Sequence, residues 1–124
     1  MTRLILTSLA ALAAATAFGA AAHAEAAAGK CFLTRDQRNH TVGDSHTLYF
    51  NVNGRDVYRV TTSDSCLAGA TSSDPLVMVD RAGTGRVCDK MDLDISVRGA
   101  RCIVSGINRL TPEETAALPR HVKP

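Results

Sequence analysis

Leu48-Tyr49-Phe50-Asn51-Val52-Asn53-Gly54-Arg55-Asp56-Val57-Tyr58-Arg59-Val60 is the stretch whose reading decides the fold. Aromatic and β-branched residues fill both ends, and Asn53-Gly54 between them is the pair that best accepts the two positive φ angles of a type I′ turn. The spacing predicts a β-hairpin with a two-residue loop. Opposed pairs are then Val52 with Arg55, Asn51 with Asp56, Phe50 with Val57 and Tyr49 with Tyr58. One face carries Leu48, Phe50, Val52 and Val57 and is the one to bury. The other carries Tyr49 and Tyr58 beside Asn51 and Asp56, a mixed aromatic and polar patch of the kind partners use. The competing expectation is that the sheet curls and these rings cover the core.

Downstream the period stays at two. Asp74-Pro75 punctuates the chain before Leu76-Val77-Met78-Val79, a short apolar run that reads as a buried strand, and Gly83-Thr84-Gly85 turns it toward Arg86-Val87-Cys88. Met91, Leu93, Ile95 and Val97 alternate with Asp92, Asp94, Ser96 and Arg98, the pattern of a strand with one wet face. Gly99-Ala100 fits a type II′ turn into a strand over 101–107. That strand has Cys102 and Val104 on one side and Ile103 and Ile107 on the other, which asks for cover on both faces and hence for a closed or nearly closed sheet. Thr111-Pro112-Glu113-Glu114 opens a short helix that Pro119 ends. The fold class is therefore all-β: a small antiparallel barrel or curled sheet of about seven short strands with one short C-terminal helix.

Upstream, Met1-Thr2-Arg3 followed by an apolar stretch from Leu4 to about Ala15 reads as a signal peptide, too short to span a bilayer, and Ala22-His23-Ala24 places cleavage before Glu25. Lys30 directly before Cys31 argues against a lipoprotein anchor. The expected organisation is a cleavable signal over 1–24, a disordered lead-in over 25–30, and a single disulfide-bonded β domain over 31–124, periplasmic or secreted with no membrane anchor after cleavage. A chain of that size buries a marginal core, the more so with no Trp. The net charge of +2, which falls to about +1 once Arg3 is removed, gives no reason to expect nucleic acid as a partner.

Covalent bracing is the expected compensation. Cys31, Cys66, Cys88 and Cys102 are even in number and all fall after the signal, so two disulfides are expected. The Gly99-Ala100 turn would set Cys102 opposite Val97 and away from Cys88, which disfavours a Cys88–Cys102 bridge. The preferred pairing is nested, Cys31 to Cys102 and Cys66 to Cys88. The crossed pairing, Cys31 to Cys88 and Cys66 to Cys102, stays open.

The order Cys31-Phe32, Thr47-Leu48-Tyr49-Phe50, Tyr58-Arg59-Val60, Cys66, Val87-Cys88 with Asp92 four residues on, then Cys102-Ile103 and Ile107 with Leu110-Thr111, resembles a domain-of-unknown-function family of small exported bacterial proteins with four cysteines. The resemblance implies a periplasmic address and carries no assigned chemistry.

No residue set reads as an active site. No two cysteines stand two to four apart as a structural zinc site wants, and a Cys-His nucleophile pair would leave an odd thiol. Asp89, Asp92 and Asp94 read as a solvated strand face rather than a calcium loop, because no glycine-bearing loop follows. Ala82-Gly83-Thr84-Gly85-Arg86 reads as a turn, not a phosphate loop. No catalytic residue, cofactor or metal is expected. The candidate binding residues are Tyr49 and Tyr58, with Arg35 and Arg38 as a basic stretch suited to an acidic partner or anionic polysaccharide. The expected function is a non-catalytic binding module for another exported protein or polysaccharide, a hydrolase inhibitor being one form of it. The alternative is a small extracytoplasmic hydrolytic or redox enzyme, which would show a pocket joining His40 or His46 to a carboxylate.

Overall fold

A computed structural model describes residues 31–124; the expected signal over 1–24 and lead-in over 25–30 lie outside the described residues. The strands are β1 (Phe32–Leu33), β2 (Gln37–Asp44), β3 (Thr47–Val52), β4 (Asp56–Thr62), β5 (Leu76–Asp80), β6 (Arg86–Val87), β7 (Leu93–Val97), β8 (Ala100–Cys102) and β9 (Val104–Arg109), followed by the helix α1 (Pro112–Ala117). They form three antiparallel sheets, β1-β6, β2-β3-β4-β9 and β5-β7-β8. Among the described residues the chain is mostly β, as its period of two demands, but the sheets do not close into a barrel. There nine strands replace the expected seven, in part because the segment expected as one strand over 101–107 breaks at Ile103 and serves two sheets.

Ile103 shows why both of its faces need no cover. Its N–H donates to the Asp64 carboxylate and its carbonyl accepts from Ser63 N–H, so the backbone bonds of this residue go to the loop after β4. The side chain is 63% exposed. Cys102, one residue earlier, is buried on the core face.

The hairpin of β3 and β4 forms with a one-residue slip. Asn53 and Gly54 take the expected positive φ of 54° and 72°, and Arg55 N–H closes the turn onto the Val52 carbonyl. The ladder then resumes at Val52 opposite Asp56, leaving Arg55 in the loop and setting Phe50 against Tyr58 and Tyr49 against Arg59. Because side chains alternate strictly, one residue of slip moves Tyr58 from the outer face to the core. Alternation did not decide between the registers, since Val57 and Tyr58 are both apolar. The slip buries the larger ring. It stacks on Phe50 with centroids 5.5 Å apart and packs at 4.9 Å against Phe32.

The main core joins these three rings to Leu48, Val52 and Val60 from the hairpin, Leu93, Ile95 and Val97 from β7, and Leu67, Val87 and Cys102. Val57 is buried on the opposite face of β4, where Leu110 N–H donates to its carbonyl, and Thr41 on β2 donates its hydroxyl to the Val122 carbonyl. The C-terminal segment thus returns across the outer face of the four-stranded sheet. It is launched by the expected capping box: the Thr111 hydroxyl accepts Glu114 N–H and the Glu114 carboxylate accepts Thr111 N–H, with Pro112 first in the helix.

Two further expectations change. The turn between β7 and β8 is Arg98-Gly99, both at positive φ, and it sets Cys102 opposite Ile95 rather than Val97. Arg98 is held there by its own guanidinium, which donates to the carbonyls of Gly69 and Ala68. The disulfides are Cys31–Cys88 and Cys66–Cys102, the crossed pattern, not the nested Cys31–Cys102 and Cys66–Cys88. Register explains both. Phe32 pairs with Val87 and Leu33 with Arg86, so the same ladder extended by one residue sets Cys31 opposite Cys88. The Ser63, Asp64 and Ile103 bonds hold the Cys66 loop beside Cys102.

Candidate functional site

The expected tyrosine patch is dismantled by the slip. Tyr58 is 2% exposed, its hydroxyl donates to the Cys31 carbonyl at 3.5 Å, and burial pushes its phenol up from the ordinary value. Tyr49 stays on the outer face but is half-buried. Its ring lies over Gly43, where an added Cβ would stand 2.8 Å from Cε2, and it pairs with Thr41, on which the C-terminal segment is fastened. Arg35 sits in a 3-10 turn over Thr34–Asp36 with its side chain 82% exposed, 4.0 Å from Asp36. Arg38 is exposed on β2, within a register irregularity between Gln37 and His40. The tyrosines, expected together on one surface, are separated onto opposite faces of a sheet.

The two histidines of the enzyme reading have modest surroundings. His40 Nε2 lies 3.1 Å from the Asp74 carbonyl. His46 Nε2 lies 3.3 Å from Ser65 Oγ at the surface, while the Asp44 carboxylate accepts the backbone N–H of His46 rather than the ring. Among the described residues no group of three or more His, Cys, Asp or Glu could hold a metal ion, and all four cysteines are bridged.

Among the described residues, an arrangement suited to a ligand lies on the outer face of the β5-β7-β8 sheet. β5, expected to be buried, is an edge strand with only Leu76 and Met78 turned inward; Val77 and Val79 are 52% and 53% exposed. Val79 stands opposite Asp94, Val77 opposite Ser96, and Ser96 opposite Arg101. Together with Ile95 these residues line a shallow depression of about 270 Å³, which neither histidine borders. Asp94 Oδ1 accepts from Arg81 Nη2 at 2.7 Å and from Arg101 Nη2 at 3.0 Å. The hydrogen bond from Arg81, then that from Arg101, holds the Asp94 carboxyl below its ordinary range, and the same bond raises Arg81. The three charged groups of this cluster, two guanidiniums on one carboxylate, sum to one positive charge and flank two exposed valines.

Other carboxylates near this sheet are spent on backbone. Asp80 accepts from Ala82 N–H and Gly85 N–H, Asp92 from Cys88 and Asp89 N–H, and Asp89 from Met91 N–H. Asp92, expected on the wet face, therefore caps a 3-10 turn over Lys90–Asp92. Only the alternation of β7 pointed at this site, through Asp94 and Ser96; Val77, Val79, Arg81 and Arg101 were missed.

Asp44, Asp74 and Asp94 are all held below the ordinary carboxylate value of 3.8, Asp44 first by His46 N–H, Asp74 first by Thr71 N–H and Asp94 first by Arg81. A carboxylate lowered in the folded state adds stability that is complete above its unfolded value and is lost as pH falls through the folded one. The thermal midpoint is therefore expected to fall as pH drops from about 4 toward 2. Asp94→Asn should flatten part of that fall, and an unchanged profile in this variant would remove Asp94 from the set.

No family model matches the chain, and no curated protein or solved structure matches it.

Proposed function

We propose that this protein is an exported, non-catalytic binding module that docks another extracytoplasmic macromolecule on the outer face of the β5-β7-β8 sheet. The carrying observation is the pair Val77 and Val79, both over half exposed and side by side with the Arg81–Asp94–Arg101 cluster. Apolar area left beside fixed charge on a rigid sheet is what an interface core and its polar rim require. Two disulfides support an oxidising compartment, and among the described residues no helix is long and apolar enough to cross a membrane. The residue order that resembles a family of small exported bacterial proteins points the same way. An exported protein as partner, a hydrolase inhibited by being covered included, fits a face that is broad and shallow.

The test is a cross-linked pull-down from an exported-protein fraction with residues 25–124 as bait, beside the variant Val77→Glu/Val79→Thr. Both sites are solvent-facing, so the variant should keep its thermal midpoint within a few degrees. Losing two valines that a docked partner would cover should cut its recovery by about tenfold or more. A folded variant that recovers the same partner equally well would refute docking on this face.

A further inference from the structure

Granting that docking face, we infer that its occupant is an extended polypeptide segment of an exported partner in which a β-branched or aliphatic side chain lies next to an acidic one. Size is the first reason. Pockets for free small molecules run from about 300 to 1,000 Å³ and enclose most of the ligand. The depression here is about 270 Å³ and is bordered by the side chains of an open sheet face, room for one or two side chains of a larger molecule.

Charge is the second. A guanidinium carries five N–H donors, and Asp94 Oδ1 takes one contact each from Arg81 and Arg101. Within the cluster one carboxylate, Asp94, is shared by two cations; Asp80, Asp89 and Asp92 keep their charge but turn their oxygens to backbone N–H groups rather than to Arg101. The surplus positive charge resides on Arg101, whose side chain is 72% exposed against 45% for Arg81. Arg101 is also the one that borders the depression. A carboxylate met there completes a pair for the second guanidinium, while the neighbouring apolar side chain covers Val77 and Val79. A basic segment would set like charge beside Arg101, and a purely apolar one would leave Arg101 sharing Asp94 with Arg81.

The probe is a synthetic peptide of alternating valine and threonine around one glutamate, capped at both ends, with its glutamine counterpart, titrated into ¹⁵N-labelled residues 25–124. The expected result is that the amides of Val77, Val79, Ser96 and Arg101 shift. The glutamate peptide should bind about threefold more tightly, as a pair at an exposed rim allows, and Arg101→Gln should erase that difference with its fold intact. Equal binding of the two peptides, shifts mapping elsewhere, or no shift with either overturns the acidic partner. Shifts of the same amides on concentrating the protein alone also overturn it, making a second copy the occupant. These failures are separable from failure of the docking face. Pull-down recovery that still depends on Val77 and Val79 leaves the face standing without its acidic partner, and recovery independent of both removes the face as well.

Discussion

Tyr58→Ala is expected to cost about 3–5 kcal/mol, the range for removing a buried aromatic ring, against a total of about 5–15 kcal/mol for an average domain. The ring is at the centre of the core, 4.9 Å from Phe32 and 5.5 Å from Phe50, so its loss leaves a cavity walled by two aromatic rings, one of them next to the bridged Cys31. Tyr58→Phe should cost far less. It keeps the ring, which carries the buried apolar area and both ring contacts, and gives up only the polar interactions of the hydroxyl. Tyr49→Ala, half-buried over Gly43, should cost about 1 kcal/mol. Urea unfolding of the three variants gives the order directly. If Tyr49→Ala proves the more damaging tyrosine substitution, the one-residue slip in the β3-β4 hairpin is wrong and so is the core built on it.

That slip marks where reading the sequence stops being sufficient. Element type was legible wherever one face was polar: β7 alternates Leu93, Ile95 and Val97 against Asp94 and Ser96, and these three apolar residues are buried. The helix start was legible because Thr111, Pro112 and Glu114 each satisfy a separate local requirement of a helix N-terminus. Register in the hairpin was not, because Val57 and Tyr58 compete for one core position and the winner is set by Phe32, distant in sequence. The same ambiguity hid the candidate site. In Leu76-Val77-Met78-Val79 all four residues are apolar, so nothing local says which pair faces water, and an edge strand with one bare face looks like a buried one. The disulfide pairing failed for a related reason. The expected Gly99-Ala100 turn set aside Cys88–Cys102, which does not form, but could not choose between nested and crossed; that choice needed β1 against β6, strands of two residues that leave almost no signal.

The crossed pairing carries the second large effect. In the chain-entropy model, bridging 57 residues with Cys31–Cys88 and 36 with Cys66–Cys102 contributes about 4 kcal/mol each. Cys66→Ala/Cys102→Ala and Cys31→Ala/Cys88→Ala should each remove a large fraction of the stability of so small a domain. The two bridges differ in access rather than in span. Cys31 and Cys66 are both partly exposed, but Cys88 is exposed whereas Cys102 is 2% exposed in the core. A thiolate must reach a sulfur in line to exchange with it, so the Cys31–Cys88 bridge is the more open to a reductant. Mild reduction of the folded protein followed by alkylation is therefore expected to trap a species modified at Cys31 and Cys88 alone, with β1 released from β6. Full reduction should need conditions that unfold the chain. A non-reduced peptide map must show Cys31 joined to Cys88 and Cys66 to Cys102. Either nested peptide would contradict the β1-β6 register from which the Cys31–Cys88 bridge follows, and first modification at Cys66 and Cys102 would reverse the order of access.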